Sequence, residues 1–168
     1  MDTALLTRAR DVAGAVPDPE LPMLTLADLG ILRDVQLDER QGLVVTITPT
    51  YSGCPATATI RADLRLALRA AGFAQVEVRT ALSPAWSSDW ITAAGREALA
   101  RHGIAAPEPA RPHTATVSLD LARRPASPPC PRCRSAASVQ VSHFGPTPCL
   151  ALHRCTHCQE TFHQVKEL

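Results

Sequence analysis

Four of the six cysteines occur in two pairs with the same internal spacing. Each pair is a C-x-x-C motif, and the two motifs are Cys130-Pro-Arg-Cys133 and Cys155-Thr-His-Cys158. Two intervening residues let both thiolates of a motif bind one ion from a tight turn, and two such turns supply the tetrahedral ligands of structural zinc. Residues 139–144 and 150–154, between the motifs, have room for a short β-hairpin. The cysteines therefore predict a zinc ribbon with a structural Zn²⁺ ion.

Three other assignments of this cysteine quartet stay open at the sequence level. The same four sulfurs would suit one iron ion, as in rubredoxin. A thioredoxin-type redox pair would need a motif at a strand–helix junction, where neither motif is expected. Ligand exchange is the third, because one more cysteine and several histidines lie nearby in the chain: Cys149, His143, His153, His157 and His163. Arg134 also follows the first motif at a position where glycine is common.

Cys54 is the only cysteine before the quartet, and it precedes Pro55 at the expected start of a helix. The positive end of a helix dipole favours a thiolate, which is a nucleophile or a soft-metal ligand. The surrounding loop is rich in small and hydroxyl residues, namely Thr50, Ser52 and Gly53. That composition favours an exposed, functional thiol over the alternative of a small buried apolar residue.

A thiol-dependent enzyme is not expected. Nucleophilic catalysis by cysteine needs a histidine base and an orienting group. Only His102 lies in the first part of the chain, at a predicted helix end, and carboxylates such as Asp18, Glu20 and Asp28 are poor bases for this purpose. We therefore predict a non-catalytic protein.

The elements that position these residues follow an α+β pattern. Helical spacing predicts a first helix that is stopped by Pro17. The proline-rich residues 16–22 cannot continue this helix and are expected to form an extended loop. Strands are predicted at 31–37 and 43–48, joined by a turn into an antiparallel pair. A helix is predicted to start at Pro55 and to end at Gly72 with one buried face, formed by Ile60, Leu64, Leu68 and Ala71.

Further along, residues 75–82 alternate as a third strand with Val76, Val78 and Leu82 pointing inward. A last helix is predicted from about Trp90 to His102, capped by residues 87–89. Together these elements predict a small mixed or antiparallel sheet with helices on one face, plus a C-terminal zinc ribbon.

Composition divides the chain into three parts. We predict an α+β domain at 1–104, a proline-rich linker at 105–128 and the ribbon at 129–168. Residues 114–121 alternate like a strand that could join the sheet or belong to the linker. The first 110 residues hold 10 basic and 13 acidic residues, and the rest hold 7 and 3. No Lys or Arg run exceeds two, which argues against nucleic-acid binding.

The start of the chain lacks the features of a signal peptide, and no window is apolar enough to span a membrane. We therefore expect a cytoplasmic protein with reduced cysteines and no membrane partner.

Several loops resemble known families. Val16-Pro-Asp-Pro-Glu-Leu-Pro22, Asp28-Leu-Gly30 and Thr48-Pro-Thr-Tyr-Ser-Gly-Cys-Pro55 resemble the small domain of SufT-type iron–sulfur assembly factors and their cytosolic eukaryotic counterparts. A longer set resembles the PaaD-type components of bacterial phenylacetyl-CoA epoxidases over nearly the whole chain: Tyr51-Ser-Gly-Cys-Pro-Ala56, Leu82-Ser-Pro-Ala-Trp-Ser-Ser-Asp-Trp-Ile91 and Phe144-Gly-Pro-Thr-Pro-Cys149.

The resemblance implies an iron–sulfur assembly domain joined to a zinc ribbon, with an accessory or maturation role for the epoxidase of phenylacetate degradation. By position, it implies that Cys54 and Asp28 handle a cluster or iron and that Asp18 and Glu20 shape the adjacent loop. It implies the other epoxidase components as partners, in particular the iron–sulfur reductase component. One thiolate cannot hold a [2Fe–2S] cluster, so we expect either a homodimer that presents two copies of Cys54 or transient sharing of a cluster or iron with a partner. The alternative is a zinc-ribbon module for nucleic-acid binding or protein docking.

Overall fold

The computed structural model describes residues 2–107 and 127–166 and divides into two units after Leu99. The strand predicted at 114–121 lies outside the described residues. None of the helices in the described part of the chain has the length and apolarity that crossing a lipid bilayer requires.

A three-stranded mixed sheet forms the centre of the first unit. Its strands are β1 (Leu32–Leu37), β2 (Leu43–Ile47) and β3 (Val76–Thr80), in the order β1-β2-β3. β2 is antiparallel to β1 and parallel to β3, so that Val45 lies between Val35 and Val78. β2 is buried along nearly its whole length, because it has a strand on each side, and its apolar run matches this central position. The predicted antiparallel pairing is confirmed.

Two helices cover one face of this sheet. They are α1 (Asp2–Gly14) and α2 (Thr57–Ala70). α2 connects the parallel strands and buries a stripe with a spacing of four residues, formed by Ile60, Leu64 and Leu68. α1 packs against both β1 and α2. α2 is followed by Gly72, whose positive φ of 95° fits the predicted helix end.

The segment after β3 differs from its prediction at two points. β3 ends at Thr80, so Leu82 is 55% exposed instead of pointing inward. The predicted helix from Trp90 is split into a short 3₁₀ turn at Ser88–Trp90 and α3 (Ala93–Arg101), because Ile91 is extended. The hydroxyl of Thr92 then accepts a hydrogen bond from the N–H of Gly95 at 3.0 Å, which caps α3.

The second unit contains a four-stranded sheet with the order β4-β7-β6-β5. Its strands are β4 (Ile104–Ala105), β5 (Ser138–Ser142), β6 (Leu150–Cys155) and β7 (Thr161–Val165). β5 and β6 form the predicted antiparallel hairpin, which is confirmed. β7 is antiparallel to β6 and β4 is parallel to β7, and neither strand was predicted. The α+β class is confirmed.

Candidate metal centre and cysteine loop

Four cysteine sulfurs meet beside the end of β6. They belong to the predicted quartet, Cys130, Cys133, Cys155 and Cys158, and all lie within 4.8 Å of one another. The Sγ atoms of Cys130 and Cys158 are 3.7 Å apart, and those of Cys133 and Cys155 are 3.6 Å apart. Four sulfurs bound to zinc in a regular tetrahedron would be about 3.8 Å apart. The spacing therefore fits one metal ion.

Both C-x-x-C motifs are held by the same backbone turn. In each, the N–H of the first cysteine donates to the carbonyl five residues later, at 2.9 Å in the first motif and 2.8 Å in the second. The residue after the second cysteine is left-handed in both, with φ of 61° at Arg134 and 62° at Gln159. Arg134 thus occupies a conformation that glycine adopts at lower energetic cost.

The electrostatics of the quartet favour a bound cation. The N–H of Cys158 donates to the Cys155 sulfur and lowers the pKa of Cys155 to about 6. The N–H of Glu160 favours the Cys158 thiolate, but partial burial and the other three sulfurs outweigh it and raise the pKa of Cys158 to about 12. Cys155 thus forms a thiolate readily, and its negative charge opposes the ionisation of Cys158. A bound divalent ion removes this repulsion, so the quartet is a metal site.

The surroundings of the quartet hold the two motifs together. An ion pair joins Arg132 of the first motif to Glu160 after the second, and Glu160 raises the pKa of Arg132. The thiol of Cys149, an alternative ligand in the sequence, instead lies 3.1 Å from the hydroxyl of Thr147. His153 stacks on the ring of Phe162. Across residues 2–107 and 127–166 the quartet is the only group of three or more metal-binding side chains.

Cys54 lies at a different place, on the sheet edge where the parallel strands β2 and β3 end. The N–H of Thr48 donates to the carbonyl of Ile31, and the N–H of Ala81 donates to that of Ile47, both at 2.9 Å. These bonds place the loop after β2 beside the residues that lead into β1, and the loop after β3 beside the end of β2. Cys54 is half-buried in the loop after β2. Ligands commonly bind at the carboxyl ends of parallel strands.

The expected low pKa of Cys54 is wrong. α2 starts at Thr57 with Ala56 as its N-cap, not at Pro55, so Cys54 lies ahead of the helix end. Burial raises the pKa of Cys54, and the nearby carboxylate of Glu20 raises it further, whereas the N–H of Ala56 favours the thiolate without prevailing. Cys54 is therefore a thiol at neutral pH, and it would bind a soft metal by releasing its proton.

Two of the three acidic candidates are near enough to Cys54 to influence its ionisation, but they do not form a metal-binding group with it. The charges of Glu20 and Asp18 both act on its thiol. The carboxylate of Asp18 accepts hydrogen bonds from the N–H groups of Glu20 at 2.9 Å and Leu21 at 2.8 Å. Burial raises the pKa of Asp18, although both N–H groups favour its ionised form. Asp18 thus orders the loop that carries Glu20.

Asp28 has other partners. Its carboxylate accepts hydrogen bonds from the N–H and hydroxyl of Thr25, at 3.1 and 2.8 Å, and from the hydroxyl of Thr92 at 3.1 Å. Partial burial opposes ionisation of Asp28, but these hydrogen bonds outweigh it and lower its pKa. The contacts fasten the loop before β1 to the start of α3. A direct role for Asp28 in cluster or iron handling stays a prediction.

Sequence reasoning missed the role of Thr57 at this edge. The side chain of Thr57 hydrogen-bonds to the Cys54 thiol and favours its ionisation, and its N–H donates to the carbonyl of Cys54 at 3.2 Å. Thr57 follows Cys54 by three residues, and this spacing could have indicated the contact. Trp86 is buried, and its Nε1–H donates to the carbonyl of Leu29 at 2.8 Å, which anchors the loop after β3.

Comparisons with known proteins match both units. Residues 8–80 match the family described as iron–sulfur cluster assembly protein, and residues 114–166 match the PaaD zinc beta ribbon domain. A crystal structure of a domain of unknown function, DUF59, from Bacillus anthracis is 30% identical, with a TM-score of 0.53, and the match covers 58% of this chain and 92% of that one. A conserved hypothetical protein from Thermotoga maritima matches at 29% identity and a TM-score of 0.45, over 53% and 87% of the two chains.

The fold and the cysteine cluster thus define a protein in which an iron–sulfur-assembly-like domain precedes a zinc ribbon. A protein of Escherichia coli (strain K12), provisionally named as the D component of 1,2-phenylacetyl-CoA epoxidase, is 43% identical over 152 residues, which are 90% of this chain and 86% of that protein. The chain belongs to this PaaD family of phenylacetyl-CoA epoxidase components. This confirms the resemblance seen in the sequence.

Proposed function

We propose that the chain is a non-catalytic accessory factor of phenylacetyl-CoA epoxidase that helps deliver iron or an iron–sulfur cluster to a client, the iron–sulfur reductase component. The observation that carries this proposal is the lone Cys54 thiol beside Asp18 and Glu20 in a domain that matches iron–sulfur assembly proteins. A relative at 43% identity is named as a component of that epoxidase, which supports the choice of enzyme system.

The single sulfur of Cys54 suits iron or a cluster that is bound transiently and then transferred to the client. One sulfur is an incomplete set of ligands for a [2Fe–2S] cluster, which takes four. The remaining ligands would come from the client or from a second copy of the chain. Because Cys54 holds a proton when free, loading releases that proton and unloading takes one up.

The ribbon has a separate, structural task in this proposal. The ion is Zn²⁺, and the four thiolates of the quartet fill a tetrahedral coordination sphere with no open position for a reactant. Within the described ranges, the charged groups that act on Cys54 are the carboxylates of Glu20 and Asp18, which are poor bases for nucleophilic catalysis by cysteine.

The experiment is a deletion strain that is complemented with the wild-type chain, Cys54→Ser or Ser52→Ala. Growth on phenylacetate is measured, and iron and acid-labile sulfide are measured per chain of purified reductase. We expect the deletion and Cys54→Ser strains to yield iron-poor reductase and to grow poorly. Ser52→Ala, an exposed position in the same loop, should restore both properties. A fully loaded reductase from the deletion strain would overturn the proposal.

A further inference from the structure

We propose that the outer edge of β5, which pairs with no strand among the described residues, is a docking site for an extended, acidic segment of another protein. We name this site the β5 surface, and it consists of Val139, Val141, Phe144, Arg154 and Lys166. The inference goes beyond the proposed function, because it concerns the ribbon and holds whether or not the chain delivers iron.

The β5 surface exposes large apolar side chains in a short stretch of chain. Val139 is 43% exposed, Val141 is 56% exposed and Phe144 is 64% exposed. The other two phenylalanines, Phe73 and Phe162, are both buried. Apolar side chains grouped in this way, unlike a scattered exposed leucine, commonly mark an interaction surface.

The strand also has an edge that can accept a further strand. In the part of the chain that the structure describes, β5 pairs with β6 alone. Its sequence, Ser-Val-Gln-Val-Ser, contains neither a charge nor a proline, which are common protections of edge strands. The only feature of β5 that opposes further strand pairing is a register irregularity between Gln140 and Ser142. The outward N–H and C=O groups of such an edge bind an extended peptide by adding a strand.

The basic side chains of the β5 surface favour an acidic partner. Arg154 lies directly opposite Val139 in the hairpin, and the Nζ of Lys166 is 4.5 Å from the centroid of the Phe144 ring. Glu160 is the only acidic residue in the described range 127–166, and it is paired with Arg132. A second copy of the chain would bring like charges together, and a nucleic acid would leave the hydrogen-bonding edge of β5 unused.

The test uses the full, zinc-loaded chain and three labelled peptides. The first alternates Glu and Val, the second alternates Lys and Val, and the third is the first with a central proline. Binding is measured by fluorescence anisotropy at two salt concentrations, and amide exchange is followed at residues 138–142. The variants are Val141→Glu and Lys166→Glu. Leu66→Glu, an exposed leucine on α2, is the matched control, and zinc content reports the folding of each ribbon.

We expect the acidic peptide to bind, to protect the β5 amides and to weaken with salt. The lysine and proline peptides should bind the wild type with an affinity lower by about tenfold or more than that of the acidic peptide. Both β5-surface variants should bind the acidic peptide with a similarly lowered affinity, and Leu66→Glu should bind it as the wild type does. Equal binding of the lysine peptide would overturn the inference. So would tighter binding of a single-stranded oligonucleotide, or a dimer of the chain that Val141→Glu dissociates.

Discussion

Two cysteines of this chain have pKa values shifted in opposite directions, and their neighbours explain why. The Cys155 sulfur accepts a hydrogen bond from the N–H of Cys158, which lowers its pKa to about 6. The Cys54 thiol is partly buried near Glu20 and Asp18, so its pKa is raised. Cys155 is therefore readily ionised, whereas Cys54 must release a proton before it binds a soft metal.

Removing the charge of Glu20 should make Cys54 more reactive. Glu20→Gln deletes a negative charge that opposes the thiolate, so the pKa of Cys54 falls and its alkylation by iodoacetamide near neutral pH becomes faster. The rate is measured by mass spectrometry of the peptide that contains Cys54. Glu39→Gln, in the exposed turn after β1, is the control. Equal rates in Glu20→Gln and the wild type would contradict the account of this thiol.

Asp28 should contribute stability that depends on pH. Its pKa is lower in the folded state, so the contribution is fully present above the ordinary carboxyl range and is lost as the pH falls through the folded-state pKa. We expect Asp28→Asn to lower the free energy of unfolding by about 2 kcal/mol at neutral pH, because Thr25 and Thr92 lose a charged acceptor. Urea titrations at pH 7 and at about pH 3 measure this difference, which should shrink in acid. A loss of the same size at both values would contradict the assignment.

At the scale of elements, local patterns were predicted well and contacts between distant segments were not. The two C-x-x-C turns and the β5–β6 hairpin were predicted because each depends on residues close in the chain. β4 was missed because its pairing with β7 joins residues about 60 positions apart, which spacing alone does not indicate, whereas β7 was missed although it pairs with β6, its neighbour in the chain. The pKa of Cys54 was mispredicted because burial, the larger cause, and the charge of Glu20 in a distant loop both raise it, and the local sequence indicates neither.

The ribbon strands should depend on the metal. The buried residues around the quartet are few, namely Ala105, Cys130, Cys155 and Phe162, and structural zinc in such modules contributes about 10–16 kcal/mol of apparent binding energy. Chelation under reducing conditions should therefore unfold β5–β7 while α2 and β1–β3 keep their amide protection. Hydrogen exchange measures both regions in one sample. Continued protection of β6 after complete zinc removal would contradict this prediction.

At the scale of the whole molecule, the chain keeps two kinds of sulfur chemistry on two units. The first unit carries one thiol at a sheet edge, and the second carries four sulfurs that surround a single site. In the proposed function, this division would let Cys54 load and release iron while the metal of the ribbon stays bound. For this division to work, metal binding at the quartet must not depend on Cys54.

Metal analysis of the purified full-length chain tests that independence most directly. The wild type and Cys54→Ser should each contain about one zinc ion per chain, and Cys130→Ser should lose it, because a four-thiolate site needs all of its ligands. A chain whose main bound metal is iron, or a Cys54→Ser variant that has lost its zinc, would contradict the account.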